Sequence, residues 1–402
     1  MNVNLAFAGT PWNTQGAGRD TLISIENLRG SAHDDTLTGD NRANRLHGEG
    51  GNDALEGGGD WIDGGLGDDL IAGGAGDDLM SGGWLGSDTV TYLSATGAVV
   101  VDLSTTDWQD TQGAGTDRLY LFENLSGSRY GDTLTGNTGG NRIAGYDGDD
   151  AILGGAGNDE LVGGAGADDR GGGAGRDAAS YAGSDAGVRV DLAAGGPGIG
   201  GHASGDTHVG IEDLIGSDHR DRLSGDGGGN AIDGGAGGDV LRGRGGDDDL
   251  MGGGGRDRAI GGGGDDRIEG GDGADRILGG GGGDTLRGSN GRDMLIGGAG
   301  ADDLDGGAGR DMLWGGRGAD RFEMRDTGST DRIADFDPES DTLVLDAALW
   351  NGDILTAQQV VDLYVDDLGG DLRLSFDDES ASRILLMGLS DMTGLADAIE
   401  IP

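Results

Sequence analysis

Between Gly216 and Glu323 one nine-residue phrase recurs twelve times without a slip in phase. Its clearest copies are GGAGADDLD (297–305), GGAGRDMLW (306–314) and GGRGADRFE (315–323), so the pattern is Gly-Gly-x-Gly-x-Asp-x-apolar-x. The sixth position falls at Asp221, Asn230, Asp239, Asp248, Asp257, Asp266, Asp275, Asp284, Asp293, Asp302, Asp311 and Asp320. The eighth is apolar throughout, from Leu223 and Ile232 to Leu313 and Phe322, with Ala259 as the one small residue. A flexible Gly-rich linker has no reason to hold an apolar residue at every ninth place. Collagen fails as well, because it needs Gly at every third residue and abundant Pro, and this chain has 4 Pro.

One repeat has a definite physical reading. Glycines admit backbone angles closed to other residues, so Gly-Gly-x-Gly-x can wrap its carbonyls around a point. The Asp adds a carboxylate to that ring of oxygens, and a flexible ring of hard oxygen donors suits Ca2+, which takes six to eight of them. Asp-x-apolar-x is a strand too short to bury its apolar side chain alone. It must stack on copies of itself.

This stretch resembles the RTX, or haemolysin-type, calcium-binding repeats. The resemblance implies an all-β fold, a right-handed parallel β-roll in which two nonapeptides make one turn. It also implies Ca2+ held between stacked turns by Asp carboxylates and glycine carbonyls. The candidate carboxylate ligands are Asp221, Asp239, Asp248, Asp257, Asp266, Asp275, Asp284, Asp293, Asp302, Asp311 and Asp320. The candidate carbonyl donors are Gly234, Gly243, Gly252, Gly261, Gly270, Gly279, Gly297, Gly298, Gly300, Gly306, Gly307 and Gly309.

Two shorter tracts precede the main one. The first, 30–91, has sixth positions at Asp35, Asn44, Asp53, Asp60, Asp69, Asp78 and Asp88; one unit is two residues short and another one too long. The second, 127–180, has Asp132, Asn141, Asp150, Asp159, Asp168 and Asp177. Of these, Asp35, Asp53, Asp69, Asp78, Asp132, Asp150, Asp159, Asp168 and Asp177 join the candidate ligands. The Asn residues are left out, because an amide brings no charge to a cation. Arg170 stands at an eighth position and Ala179 at the next, so the second roll is expected to end frayed.

Each tract follows a related segment: Arg19 to Ser31, Thr116 to Ser128 and Gly205 to Ser217, with a Val-x-Leu upstream at Val3, Val101 and Val190. Their apolar-polar alternation reads as strands that continue the roll or cover its ends. The expected organisation is a partial β segment (1–29), tract 1 (30–91), a β segment (92–126), tract 2 (127–180) and a β segment (181–215). The main roll (216–323) and a C-terminal β cap (324–402) complete it. The second and third segments open with a Tyr-containing lead-in that the first lacks, so residues 1–29 read as a truncated module. In the cap, strands are expected around 330–337, 341–345, 372–376 and 383–387, with a short helix at 356–363. The family resemblance adds an uncleaved type I secretion signal there.

Charge sets the environment. The chain carries 74 Asp plus Glu against 27 Lys plus Arg, a net charge of −47, and 4% aromatic residues. Such a chain repels itself until cations discharge it, which couples folding to metal. The same charge argues against nucleic acid or an anionic membrane surface as partner. With no Cys there is neither a disulfide nor a thiolate site, and no apolar run is long enough to span a membrane. Neither His-Glu-x-x-His nor Gly-x-Ser-x-Gly occurs, so no catalytic site is assigned. Arginines at fifth or seventh positions (Arg256, Arg258, Arg267, Arg276, Arg292, Arg310) read as charge balance beside the Asp rows. The resulting expectation is a secreted, extracellular, non-enzymatic calcium-binding protein. Its partners are calcium ions and the type I export apparatus, with self-association or a cell-surface polysaccharide as further candidates. The alternatives are the non-catalytic part of a larger secreted epimerase, protease or lipase, and a calcium-dependent surface-layer or adhesin component.

Overall fold

In each repeat the residue two places after the Asp turns inward and its neighbours turn outward, the period-two pattern of a strand with one buried face. The computed structural model of the chain describes residues 2–5, 11–13, 19–21, 25–40, 42–325, 328–350, 355–376, 382–389 and 392–402. Part of the first inter-tract segment, residues 22–24, lies outside the described residues. The chain forms two compact units, 1–181 with 196–211, and 182–195 with 212–402. In both, the repeats build parallel β-roll: a strand pairs with the strand one full turn, or two repeats, further on.

In the second unit, one sheet runs through Ala231–Asp233, Asp249–Gly255, Arg267–Gly273, Thr285–Gly291, Asp303–Asp305 and Arg321–Met324. The other runs through Arg222–Ser224, Val240–Gly245, Arg258–Gly263, Arg276–Gly281, Met294–Ala299 and Met312–Arg317. The register places eighth positions on eighth positions, Leu250 on Ile268, Leu286 and Leu304 in one sheet, Leu241 on Ala259, Ile277 and Leu295 in the other. All are buried. Each large one contributes roughly 1.5–3 kcal/mol of apolar burial, and neighbouring turns supply all of its cover.

The turns explain the glycines. At the fourth position Gly300 has φ 145°, and a Cβ there would lie 1.7 Å from the Gly282 carbonyl oxygen of the turn below. Only a residue without a side chain allows turns to stack so closely.

The inter-tract segments do continue the roll. Val3 pairs in parallel with Leu37, Val101 with Leu134 and Val190 with Leu223, so the three Val-x-Leu copies do one job. Thr116–Tyr120 adds a further rung on Leu79–Leu85. The expected fraying at Arg170 is not found. Its strand, Asp169–Ala174, pairs on both sides. The buried guanidinium ion-pairs with Asp206 and donates to the Tyr181 hydroxyl at 2.6 Å, with that ring 4.5 Å away. Tyr181 in turn meets His208 Nε2 at 2.7 Å, and burial pushes the His208 pKa down to about 3. A buried Arg is tolerated here because Asp206 supplies its counter-charge and Tyr181 a hydrogen bond.

At the C-terminal end, Thr330–Ile333 and Thr342–Leu345 extend the two sheets as parallel strands. Arg383–Met387 follows in parallel, and Asp371–Ser375 and Val365–Asp367 then run antiparallel. The expected helix is Ala357–Tyr364, started by a capping box at Thr356 and Gln359. Among the described residues no helix is long and apolar enough to cross a membrane.

Candidate metal sites along the turns

The sixth-position Asp sits at the entrance of each strand with its side chain buried. One carboxylate oxygen has a structural task. Oδ1 accepts the N–H of the sixth residue one turn earlier, Asp248 to Asp266 at 3.0 Å, Asp257 to Asp275 at 2.8 Å and Asp266 to Asp284 at 2.9 Å. These bonds form a ladder that locks turn to turn.

The other oxygen has no such partner. Oδ2 is buried without a hydrogen bond at Asp239, Asp257, Asp266, Asp275, Asp284, Asp293, Asp302 and Asp311, and at Asp53, Asp69, Asp78, Asp150, Asp159 and Asp168. Each points at the first glycine of its own repeat. A Cβ on Gly261 would lie 2.1 Å from Asp266 Oδ2. One on Gly297 would lie 2.3 Å from Asp302 Oδ2 and 2.7 Å from the Gly315 carbonyl oxygen of the next turn. The glycine therefore keeps a small space open between a carboxylate oxygen and a carbonyl oxygen.

Burying these charges is costly. Burial pushes the carboxyls of Asp239, Asp266 and Asp293 up to about 7, against the ladder hydrogen bond, and neighbouring carboxylates in the row push the same way. Asp257, Asp302 and Asp311 rise to about 6 for the same first cause. An unsatisfied buried charge calls for a counter-ion. Among the described residues no three acidic or histidine side chains converge on one point. A cation here would take one or two carboxylate oxygens and complete its shell with carbonyls, a hard all-oxygen set that fits Ca2+.

The opening turns of each tract are different. The second oxygens of Asp132 and Asp221 accept the N–H of Ser128 at 2.6 Å and Ser217 at 2.7 Å, and Asp35 accepts that of Ser31 in the same way. In the next unit, Asn141 and Asn230 accept the N–H of Asn137 and Asp226, and their amide nitrogens donate to the Glu123 and Glu212 carbonyls at 2.7 and 2.6 Å. The amide oxygen thus takes the place that Oδ2 holds in other turns, beside the first glycine of the repeat, and the N–H2 faces the previous turn where the ladder oxygen otherwise stands. The first bare oxygen appears in the third unit of every tract, at Asp53, Asp150 and Asp239. Among the candidates, then, Asp35, Asp132 and Asp221 have both oxygens engaged. The signal was present at the second position of each repeat: Ser31, Asp40, Ser128, Asn137, Ser217 and Asp226 stand where later units mostly have Gly.

The ladder also includes residues outside the candidate set. Asp60 and Asp88 belong to it, accepting from Asn44 and Asp69. Asp331 and Asp341 extend it into the C-terminal region, accepting from Asp311 at 3.0 Å and Asp320 at 3.1 Å. Asp117 and Asp206 continue it from Asp78 and Asp168. In these two, the second oxygen takes the hydroxyl of Tyr92 at 3.1 Å or Tyr181 at 3.0 Å, which explains the Tyr in each lead-in. Asp117, Asp206, Asp331 and Asp341 all carry Asp-x-apolar or its His208 variant, so the same pattern sought outside the tracts could have found them.

Comparison with known proteins agrees with the repeat. The family profile described as RTX calcium-binding nonapeptide repeat (4 copies) matches residues 29–60, 56–90, 126–161, 145–178, 215–250, 224–259, 251–286 and 287–322, more than half of the chain. No curated protein matches the chain. Among solved structures, a subunit of the Azotobacter vinelandii mannuronan C5-epimerase is 33% identical over 32% of this chain and 77% of its own, with a TM-score of 0.26. The extracellular lipase of Serratia marcescens is 20% identical over 48% of this chain, with a TM-score of 0.24, and the match spans 40% of the lipase chain.

Proposed function

The chain belongs to the RTX calcium-binding nonapeptide repeat family, and from that premise we propose that its inner turns bind rows of Ca2+ whose uptake drives the roll to fold after export. The observation that carries this reading is the row of buried, unpaired Oδ2 atoms beginning in the third unit of each tract. Without a cation each row concentrates like charge in a low-dielectric setting. With one, the charge is discharged and adjacent turns are bridged. Binding to the folded chain alone stabilises it by RT ln(1 + [Ca2+]/Kd), about 2.7 kcal/mol per site at a hundredfold excess over Kd. A net charge of −47 keeps the metal-free chain expanded, a state suited to export. We assign no catalytic step to the described residues.

A Ca2+ titration from EDTA, followed by far-UV circular dichroism with Mg2+ as control, tests this. A cooperative coil-to-β transition with Ca2+ alone is the expected result. Trp84 is 84% exposed and will respond weakly, so Trp314, half-buried in the main roll, is the better fluorescent reporter. A β spectrum already complete in EDTA and unmoved by Ca2+ would overturn the reading.

A further inference from the structure

The second unit has two rows of sixth-position Asp, and the residues just before them differ. In the row from Asp248 to Asp302 these include Asp247 and Asp265, whose carboxylates accept backbone N–H groups of the following turn at 2.8 and 2.7 Å. In the row from Asp221 to Asp311 they are Arg220, Arg256, Arg292 and Arg310, broken only by Gly238 and Ala274. Burial raises the Asp239 and Asp275 carboxyls, and Arg220 and Arg256 pull against it. Charge balance therefore describes Arg256, and also Arg267, which lies 3.8 Å from Asp249. It does not describe Arg292 or Arg310. Beyond burial, the charges that raise Asp293 and Asp311 are those of other carboxylates. The two arginines meet a third where the roll gives way to the C-terminal region. Asp331 follows Asp311 by 20 residues where the turn before takes 18, so the regular stack ends at this rung. Thr330 and Arg332 flank Asp331, with Arg332 beside Met312 in parallel register. A hollow of about 290 Å³ opens there, lined by Arg292, Arg310, Arg332, Thr330, Met312 and the buried Asp311. Among the described residues its three arginines have no ion-pair partner.

We propose that this hollow binds one phosphate group, carried either by the free ion or by a monoester on a larger molecule. Charge sets the class. Three arginines against one aspartate leave a surplus of two positive charges, and a phosphate monoester carries about −1.5 to −2 near neutral pH. A carboxylate brings a single charge and two oxygens, enough for one guanidinium fork. A phosphate group offers three or more acceptor oxygens and can answer several forks together with the Thr330 hydroxyl. The guanidinium is weakly hydrated and keeps its fork rigid, so it exchanges water for such a partner at little cost. Arg292, Arg310 and Arg332 stand on three successive rungs, about 4.8 Å apart. One bound group therefore ties the last turns of the roll to the first strand of the C-terminal region. The site exists only when those rungs are stacked, so it rests on the calcium reading. Cations in the Asp rows also relieve the repulsion that a net charge of −47 exerts on an incoming anion.

Calorimetric titration of the full chain, folded in Ca2+, with glycerol 2-phosphate and separately with inorganic phosphate tests the site, with circular dichroism on the same samples. The expected result is one saturable site per chain. Binding of both probes, or of the ester alone, assigns the hollow to a phosphate group on a larger molecule as well as to its chemistry; binding of inorganic phosphate alone assigns it to the free ion. Arg292→Gln and Arg310→Gln should each weaken binding at least tenfold while the Ca2+-driven β signal is retained. Arg258→Gln removes one charge from the same edge outside the hollow and should bind like the parent. Thr330→Val, which removes the hydroxyl and no charge, should weaken binding severalfold and decides the matter if an arginine variant loses its β signal. A folded chain that binds neither probe saturably overturns the site and leaves the calcium reading intact. So does an Arg258→Gln chain weakened as much as Arg310→Gln, or acetate bound as tightly as phosphate. A chain already folded in EDTA overturns the calcium reading alone, and the same titration in EDTA then decides the anion site. A chain folded in neither condition overturns both.

Discussion

Asp266→Asn separates the two tasks of a ladder carboxylate. The amide keeps the oxygen that accepts the Asp248 N–H at 3.0 Å, so the turn-to-turn lock survives. It replaces the bare Oδ2 beside Gly261 with an uncharged N–H2 group, the reverse of Asn230, whose oxygen faces its own first glycine and whose N–H2 reaches back to the Glu212 carbonyl at 2.6 Å. In chelator the variant sheds an unsatisfied buried charge worth about 1–3 kcal/mol, so it should be more stable than the parent by roughly 2 kcal/mol. In Ca2+ at a hundredfold excess over Kd it loses one site, about 2.7 kcal/mol of linkage stabilisation, and should be the less stable protein. The sign of the effect therefore reverses with calcium. Urea unfolding followed by circular dichroism across a Ca2+ series reads the crossing directly. Where chelator leaves both proteins unfolded, the variant should instead half-fold at a lower Ca2+ concentration yet reach a lower plateau stability. Equal destabilisation with and without Ca2+ would show that Asp266 serves the ladder alone, and the metal argument for these oxygens would fail.

Three further outcomes follow from the same geometry. In chelator, Asp239, Asp266 and Asp293, raised to about 7 by burial, favour the folded state in their neutral form. Their contribution is full below about pH 4, where the unfolded groups also protonate, and is lost as pH rises through 6 to 7; metal-free β signal should therefore be stronger at pH 5 than at pH 7.5. Protons and Ca2+ compete for these carboxylates, so the Ca2+ concentration at half-folding should fall as pH rises from 5.5 to 7.5. Leu286→Ala, at a fully buried eighth position between Ile268 and Leu304, should cost about 2–5 kcal/mol in urea unfolding at saturating Ca2+ without changing the number of ions bound by calorimetry. Arg170→Met leaves the buried Asp206 carboxylate without its cation and should cost about 3–5 kcal/mol, even though Met80 fills the corresponding place in the first tract.

The roll itself was legible because its signal is repeated. A single Asp-x-Leu says little, but Leu241, Leu250, Ile268, Ile277 and Leu286 in fixed phase leave only stacking as a way to bury them. The inter-tract rungs were legible for the same reason, since Val3, Val101 and Val190 recur before each tract in matching context. What the repeat could not give was each residue's partner. Arg170 looked like a defect because its answer, Asp206, lies 36 residues on and belongs to a different kind of segment. Likewise every sixth-position Asp looked equivalent. Their difference depends on where the N–H four residues earlier points: Ser128 and Ser217 aim it at the carboxylate, whereas a second residue at positive φ, Gly298 at 126° and equally Glu49, Tyr146 and Ser289 at 83°, 78° and 75°, goes with a bare Oδ2. The backbone angle at the second position, rather than its side chain, thus separates a carboxylate oxygen satisfied by the backbone from one left for a cation, since Ser stands in both settings. It follows that the second position, rather than the Asp, is the place from which the first metal-dependent turn of each tract is read.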